Sequence, residues 1–164
     1  MGVVLFRVDE RLIHGQVVVG WGGLLRPDRI IVVADDLAQS AWEQELYCIG
    51  LPDDVTAQFV TVDEARSLLA AWRTAAGNAF VLTRDVATML RLAHGGLLRG
   101  AEINIGGIHY AAGRREVLPY VYLADSDEAA LRELAAAGVA VSARDLPGTR
   151  RVDLAQLLRD GDAA

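Results

Sequence analysis

Arg29-Ile30-Ile31-Val32-Val33-Ala34-Asp35-Asp36 decides the fold class. A strand with one wet face alternates apolar and polar residues, and this run does not. An unbroken aliphatic stretch predicts a strand covered by helices on both faces, as in a parallel sheet. The rest of the chain repeats the theme, with β-rich runs predicted over 3–9, 29–34, 57–62, 78–83, 102–105, 117–123 and 139–144. Helical patterns fall between them, over 16–25, 40–49, 63–75, 85–94, 127–137 and 152–160. Thr61 followed by Glu64 has the capping-box spacing, and Gly95-Gly96 and Gly138 stand where helices commonly stop. Strand and helix alternating in this way predict an α/β protein: a single-domain, open, mostly parallel twisted sheet with helices on both faces. Residues 117–123 are the candidate for an antiparallel strand, entered by a hairpin from the Gly106 segment. No repeat, low-complexity tract or linker divides the 164 residues, so one domain spanning 1–164 is expected.

Composition removes several classes of function. Hydrophobic residues make up 52% and charged residues 23%, the balance of a compact soluble domain. No apolar run approaches the ~18–20 residues that cross a bilayer. The opening Met1-Gly2-Val3-Val4-Leu5-Phe6-Arg7 has too short an apolar stretch for a secretory signal, and nothing basic precedes it, so a buried strand explains it better. Net charge is −6, which leaves no basic excess for nucleic acid. All 16 basic residues are arginine, so Schiff-base and P-loop lysine chemistry are out of reach. The single Cys48 fits a reducing cytoplasm and reads as a small core residue.

The chemistry-bearing segment is Arg7-Val8-Asp9-Glu10-Arg11-Leu12-Ile13-His14-Gly15-Gln16-Val17, which leaves the first strand and enters a helix. Ligands of open α/β sheets bind beyond the carboxyl ends of strands, which is where this loop falls. Gly15 allows close backbone approach, and the Gly15 and Gln16 N–H groups open a helix, a ready anion site. Arg7 and Arg11 bring permanent charge. Asp9 can hold one imidazole nitrogen of His14 and leave the other free to attack phosphorus. For Arg7 three roles stay open: phosphate contact, an acidic patch on a partner, or an ion pair with Asp9 or Asp36. Glu10 reads as solvated. His109, after Gly106-Gly107 at another strand end, is either a pocket or docking residue or a histidine bonded to loop backbone; Asp36 and Gly107 are further candidates for pocket or partner contact. His94 reads as a helix cap. Trp21, Trp42 and Trp72 read first as helix-packing residues, with an interface role open to any that is exposed.

Phe6-Arg7-Val8-Asp9-Glu10-Arg11-Leu12-Ile13-His14-Gly15-Gln16-Val17-Val18 closely resembles the phosphorylation-site motif of the IIB component in the mannose/fructose/sorbose family of the bacterial phosphotransferase system. The resemblance extends to residues 29–36, to Asn104-Ile105-Gly106-Gly107-Ile108-His109-Tyr110, to Gly113-Arg114-Arg115, and to the last strand and helix. It implies that a IIA component phosphorylates His14, at Nδ1, and that the phosphoryl group passes to a sugar in the membrane IIC/IID permease. It also points to a cytoplasmic protein peripherally associated with that permease, to a homodimer, and to a donor on a separate polypeptide.

The roles expected are His14 as nucleophile, Asp9 as orienter, and Arg11 with the Gly15 and Gln16 amides as phosphate stabilisers. Because donor and acceptor are proteins, the loop should protrude, without a deep pocket. No cofactor is expected, since neither Gly20-Trp21-Gly22-Gly23 nor Gly106-Gly107 has the dinucleotide pattern. No metal is expected either, since no histidine pair has the i, i+4 spacing. The rival readings are a regulatory binding protein that keeps the fold without transferring phosphate, and a stand-alone phosphohydrolase or mutase.

Overall fold

The structure, a computed structural model, describes residues 2–158. Its strands are β1 (Gly2–Asp9), β2 (Arg29–Val33), β3 (Thr56–Val60), β4 (Asn78–Thr83), β5 (Glu102–Gly107), β6 (Arg115–Leu118), β7 (Val121–Leu123), β8 (Ala140–Ala143) and β9 (Val152–Asp153). The helices are α1 (Gly22–Leu25), α2 (Ala41–Cys48), α3 (Val62–Thr74), α4 (Val86–Ala93), α5 (Asp125–Ala136) and α6 (Leu154–Leu157).

Seven strands form one sheet in the order β3-β2-β4-β1-β5-β8-β9. The first six are mutually parallel, and β9 runs antiparallel to β8. The aliphatic run on β2 explains why both faces are dry. Ile31 and Val33 point into a core with Leu69 and Trp72 of α3 and Met89 of α4. Ile30 and Val32 point the other way, into a second core with Leu12, Val17 and Trp21. Caps fix where the helices begin. Thr61 and Glu64 close the expected capping box on α3, and the Asp85 carboxylate accepts the Thr88 N–H at the start of α4. Gly95 ends the α4 region in the left-handed conformation, at φ 77°.

Three expectations are corrected. Residues 117–123 are not one strand of the main sheet. Pro119-Tyr120 form a turn, because proline fixes φ and lacks an N–H, and β6 and β7 pair as a separate antiparallel ribbon. The ribbon touches the main sheet where Ile108, past the end of β5, bridges Val121. The antiparallel member of the main sheet is β9 instead, inside the segment expected as a closing helix; α6 covers only Leu154–Leu157, and 159–160 lie outside the described residues. Finally, Cys48 is exposed, because α2 buries none of its residues.

The segment after β1 departs from a plain α-helix. Residues Gln16–Trp21 form a wider π-helical turn that runs on into α1. Three successive valines followed by Gly20, Gly22 and Gly23 are weak α-formers, so tertiary contacts set the geometry. Gly20 packs so closely on Leu146 that a Cβ there would come within 2.6 Å of its Cδ2. Such π-turns recur at functional sites.

Candidate active site

β1 lies between β4 and β5, so the chain crosses from one side of it to the other in passing from β4 to β5. The loop leaving its carboxyl end is therefore at the crevice where open α/β sheets bind ligands. That loop turns sharply. The Leu12 N–H donates to the Asp9 carbonyl at 3.0 Å, and the Arg11 N–H donates to Asp9 Oδ1 at 3.0 Å. Leu12 adopts a left-handed backbone at φ 56° with its side chain fully buried. A non-glycine residue there is strained, and the burial of Leu12 in the second core offsets that strain.

Asp9 organises the site. It is 1% exposed, and its Oδ2 accepts from Arg7 Nη2 at 2.9 Å, Arg7 Nε at 3.2 Å and His14 Nε2 at 3.0 Å. Burial pushes its carboxyl upward. The hydrogen bond from His14, the Arg7 charge and the Arg11 amide outweigh that push and hold it below the ordinary carboxylate range. An ionised carboxylate is an acceptor only, so the proton on this bond belongs to His14 Nε2. The lone pair of His14 then sits on Nδ1. Nδ1 has no hydrogen-bond partner among the described residues.

Arg7 takes the structural option among the three left open. It is fully buried and spends all five of its N–H donors. They go to Asp9, to the Asn104 side chain, and to the carbonyls of Arg144 and Asp145. Its guanidinium lies 5.5 Å from the centroid of the Trp21 ring, a cation–π contact, and Trp21 Nε1 donates to the same Asp145 carbonyl. Burial lowers its pKa from the usual arginine value, with Asp9 opposing the effect. Arg7 therefore supports Asp9 from beneath and has no donor left for phosphate.

The His14 ring does not stand fully proud of its surroundings. Its side chain is 16% exposed and lines an open, shallow depression of about 400 Å³ together with Ile13, Gly15, Val19, Leu46 and Ile49. A partner must therefore reach into the depression to meet the ring. Gly15 and Gln16 open the helical turn, and their amides take no part in the turn's backbone bonds to the His14 carbonyl, which accepts from Val17 and Val18. The Arg11 side chain is exposed.

The remaining residues divide. Glu10 is not solvated: its carboxylate accepts from Arg114 Nη1 at 2.6 Å and pairs with His109 Nδ1 at 3.0 Å. Arg114 also donates to the His109 carbonyl. This clasp ties the loop after β5 to the end of β1, beside the site, yet no hydrogen bond joins His109 to His14 among the described residues. Gly107 is a packing position, where a Cβ would come within 3.3 Å of Asp9 Oδ1. Asp36 is exposed and pairs with Arg84 at 3.0 Å, apart from the His14 network. The His94 carbonyl ends α4 and accepts from Arg66. Among the described residues no three His, Cys, Asp or Glu side chains gather as metal ligands would. No described helix is long and apolar enough to cross a membrane.

Sequence reasoning missed Asn104, Trp21 and Gly106 as parts of the site. Asn104 stands opposite Arg7 in the β1–β5 register, and both interrupt apolar strands. Two polar residues inside buried strands are the available signal, since each must find a partner.

Fold and site together define a class: an open α/β protein with a carboxylate-oriented histidine at the carboxyl edge of its sheet. Comparison with known proteins supplies the family. Residues 3–163 match the family model described as "PTS system sorbose subfamily IIB component". The chain is 31% identical to the fructose-specific EIIB component of Bacillus subtilis (strain 168) over 160 residues, 98% of each chain. It is 33% identical to the N-acetylgalactosamine-specific enzyme IIB component 2 of Escherichia coli (strain K12), over 95% of this chain and 98% of that one. The crystal structure of the IIBSor domain of the Klebsiella pneumoniae sorbose permease superposes with a TM-score of 0.85 at 26% identity, covering 100% of this chain and 99% of that domain. The chain belongs to the sorbose-type IIB family of the phosphotransferase system. As a IIB component of the mannose/fructose/sorbose class, it accepts phosphate from IIA and passes it to sugar, and it is a phosphotransferase of sugar transport.

Proposed function

We propose that the phosphoryl group is carried on Nδ1 of His14. The observation that carries this reading is the 3.0 Å contact between His14 Nε2 and the ionised Asp9 carboxylate, which fixes the tautomer and leaves the lone pair on Nδ1. In the first step Nδ1 attacks the phosphorus of a phosphohistidine on IIA, whose phosphorus–nitrogen bond breaks as the new one forms. The donor imidazole leaves neutral, keeping the proton on its other nitrogen. His14 keeps its own proton on Nε2, and the positive charge it gains faces Asp9. In the second step a sugar hydroxyl attacks the same phosphorus, the bond to Nδ1 breaks, and the hydroxyl proton is released.

Transfer between imidazoles rests on positioning and charge stabilisation. Asp9 orients the ring, and Arg7 orients Asp9. The Arg11 guanidinium and the Gly15 and Gln16 amides are the donors for the phosphoryl oxygens, which carry negative charge throughout. In this reading the protein works in the cytoplasm, associated peripherally with the IIC/IID permease.

Purified His14→Ala, incubated with phosphorylated IIA, is expected to take up no label while its far-UV circular dichroism matches the native protein. A mutant that still acquires stoichiometric label removes His14 from the mechanism.

A further inference from the structure

The core on the second face of the sheet takes no residue from β5 or β8. On those strands Ile103, Ile105, Val141 and Ala143 enter the first core, so Glu102, Asn104 and Ser142 point the other way. A cavity of about 540 Å³ opens there, lined also by Leu5, Trp21, Arg73, Arg144 and Arg151. It shares no lining residue with the depression around His14. Asn104 and Ser142 are only 7% and 3% exposed, so the polar floor is recessed and is not a plain solvated sheet surface. Charge here runs against the rest of the molecule. Three arginines and one glutamate line a cavity in a chain whose net charge is −6.

The lining groups are unequally committed. Arg151 pairs with Glu102 at 2.8 Å and with Asp153 at 3.2 Å. Among the described residues, Arg73 and Arg144 each spend only Nη1, on the carbonyls of Leu97 and Pro147. A guanidinium has five N–H donors, so both keep donors for an anion. Ser142 and Arg151 both meet Oε1 of Glu102, which leaves Oε2 free to accept from hydroxyls. Leu5 and Trp21 add an apolar wall. We propose that this cavity is a second binding site, for a phosphorylated sugar, separate from the site of phosphoryl transfer. Arg73 and Arg144 take the phosphate, Glu102 takes sugar hydroxyls, and the apolar wall takes the C–H face of the sugar. A sugar phosphate is also what the transport reaction makes, so the ligand is at hand where the protein works. The inference does not depend on which residue accepts phosphorus.

The test titrates ¹⁵N-labelled native protein and follows the Trp21 indole N–H resonance. The probes are fructose 1-phosphate, mannose 6-phosphate and N-acetylgalactosamine 6-phosphate, with fructose and inorganic phosphate beside them. At least one sugar phosphate is expected to saturate a single site, at least tenfold more tightly than fructose or inorganic phosphate. Arg144→Gln should weaken that binding at least tenfold, and so should Arg73→Gln, whose side chain is exposed, while Arg11→Ala leaves it unchanged. Saturation by none of the three sugar phosphates overturns the proposal. So does inorganic phosphate binding as tightly as they do, since the site would then be a simple anion site. Binding that Arg11→Ala abolishes and both glutamine variants retain also overturns it, because the ligand would then sit on the His14 loop.

Discussion

A Cβ on Gly106 would fall 1.9 Å from Cζ of Arg7, so the buried guanidinium occupies the space that any side chain at position 106 would need. The absence of a side chain on β5 thus creates the cavity in which Arg7 meets Asp9. Gly106→Ala must displace Arg7, and overpacking of this kind typically costs about 1–3 kcal/mol. Urea unfolding should show that loss, and transfer from IIA should slow as well because Asp9 is no longer held. Native stability and native rate in the alanine variant would contradict the arrangement.

Arg7→Met removes one member of a fully buried ion pair and leaves the Asp9 charge without its main counter-charge. Breaking such a pair costs about 3–5 kcal/mol. A marked fall in Tm is expected; a variant as stable as the native chain would mean that Arg7 is not the support described.

The pH dependence of stability follows from Asp9. Its carboxyl is held below its ordinary value in the folded protein, so the unfolded chain takes up this proton first as pH falls. The stabilisation is complete above the unfolded pKa of about 3.9 and is lost as pH drops through the lower folded value. Unfolding free energies of native protein and Asp9→Asn should therefore differ most above about pH 4, and the gap should narrow on further acidification. A gap that widens toward low pH would contradict the assignment.

Arg11 separates chemistry from stability. Its side chain is exposed, while its amide holds the loop through Asp9 Oδ1. Arg11→Ala keeps the amide, so stability should change by less than about 0.5 kcal/mol. Transfer from IIA should slow by about 2–4 kcal/mol of lost transition-state stabilisation, as when an oxyanion donor is removed. An unchanged single-turnover rate would remove Arg11 from the phosphate's surroundings.

The parallel sheet was legible because dry strands cannot alternate, and Ile30-Ile31-Val32-Val33 states that directly. Helix starts were legible where a side chain caps them, at Thr61 and Asp85. The Asp9–His14 pair was legible because both residues lie on one short loop at a strand end. What failed depended on distant contacts. Local sequence could not choose among the three roles open to Arg7 because the residues that consume its remaining donors, Asn104, Arg144 and Asp145, arrive from β5 and from the segment after β8. Glu10 read as solvated because His109 and Arg114 come from a loop about a hundred residues later. The π-turn was hidden for a similar reason, since Gly20 packs against Leu146. Cys48 was misplaced because periodicity identifies an apolar face without saying what that face meets, and on α2 Trp42, Leu46 and Cys48 itself are exposed.

The nitrogen that bears phosphorus tests the account most directly. Protein with ¹⁵N-labelled histidine, phosphorylated by IIA, can be read by long-range ¹H–¹⁵N correlation spectra. The expected spectrum has phosphorus on Nδ1 of His14 and a proton retained on Nε2 beside Asp9. Phosphorus on Nε2, or on a residue other than His14, would contradict the claim that the Asp9 contact selects the reacting atom.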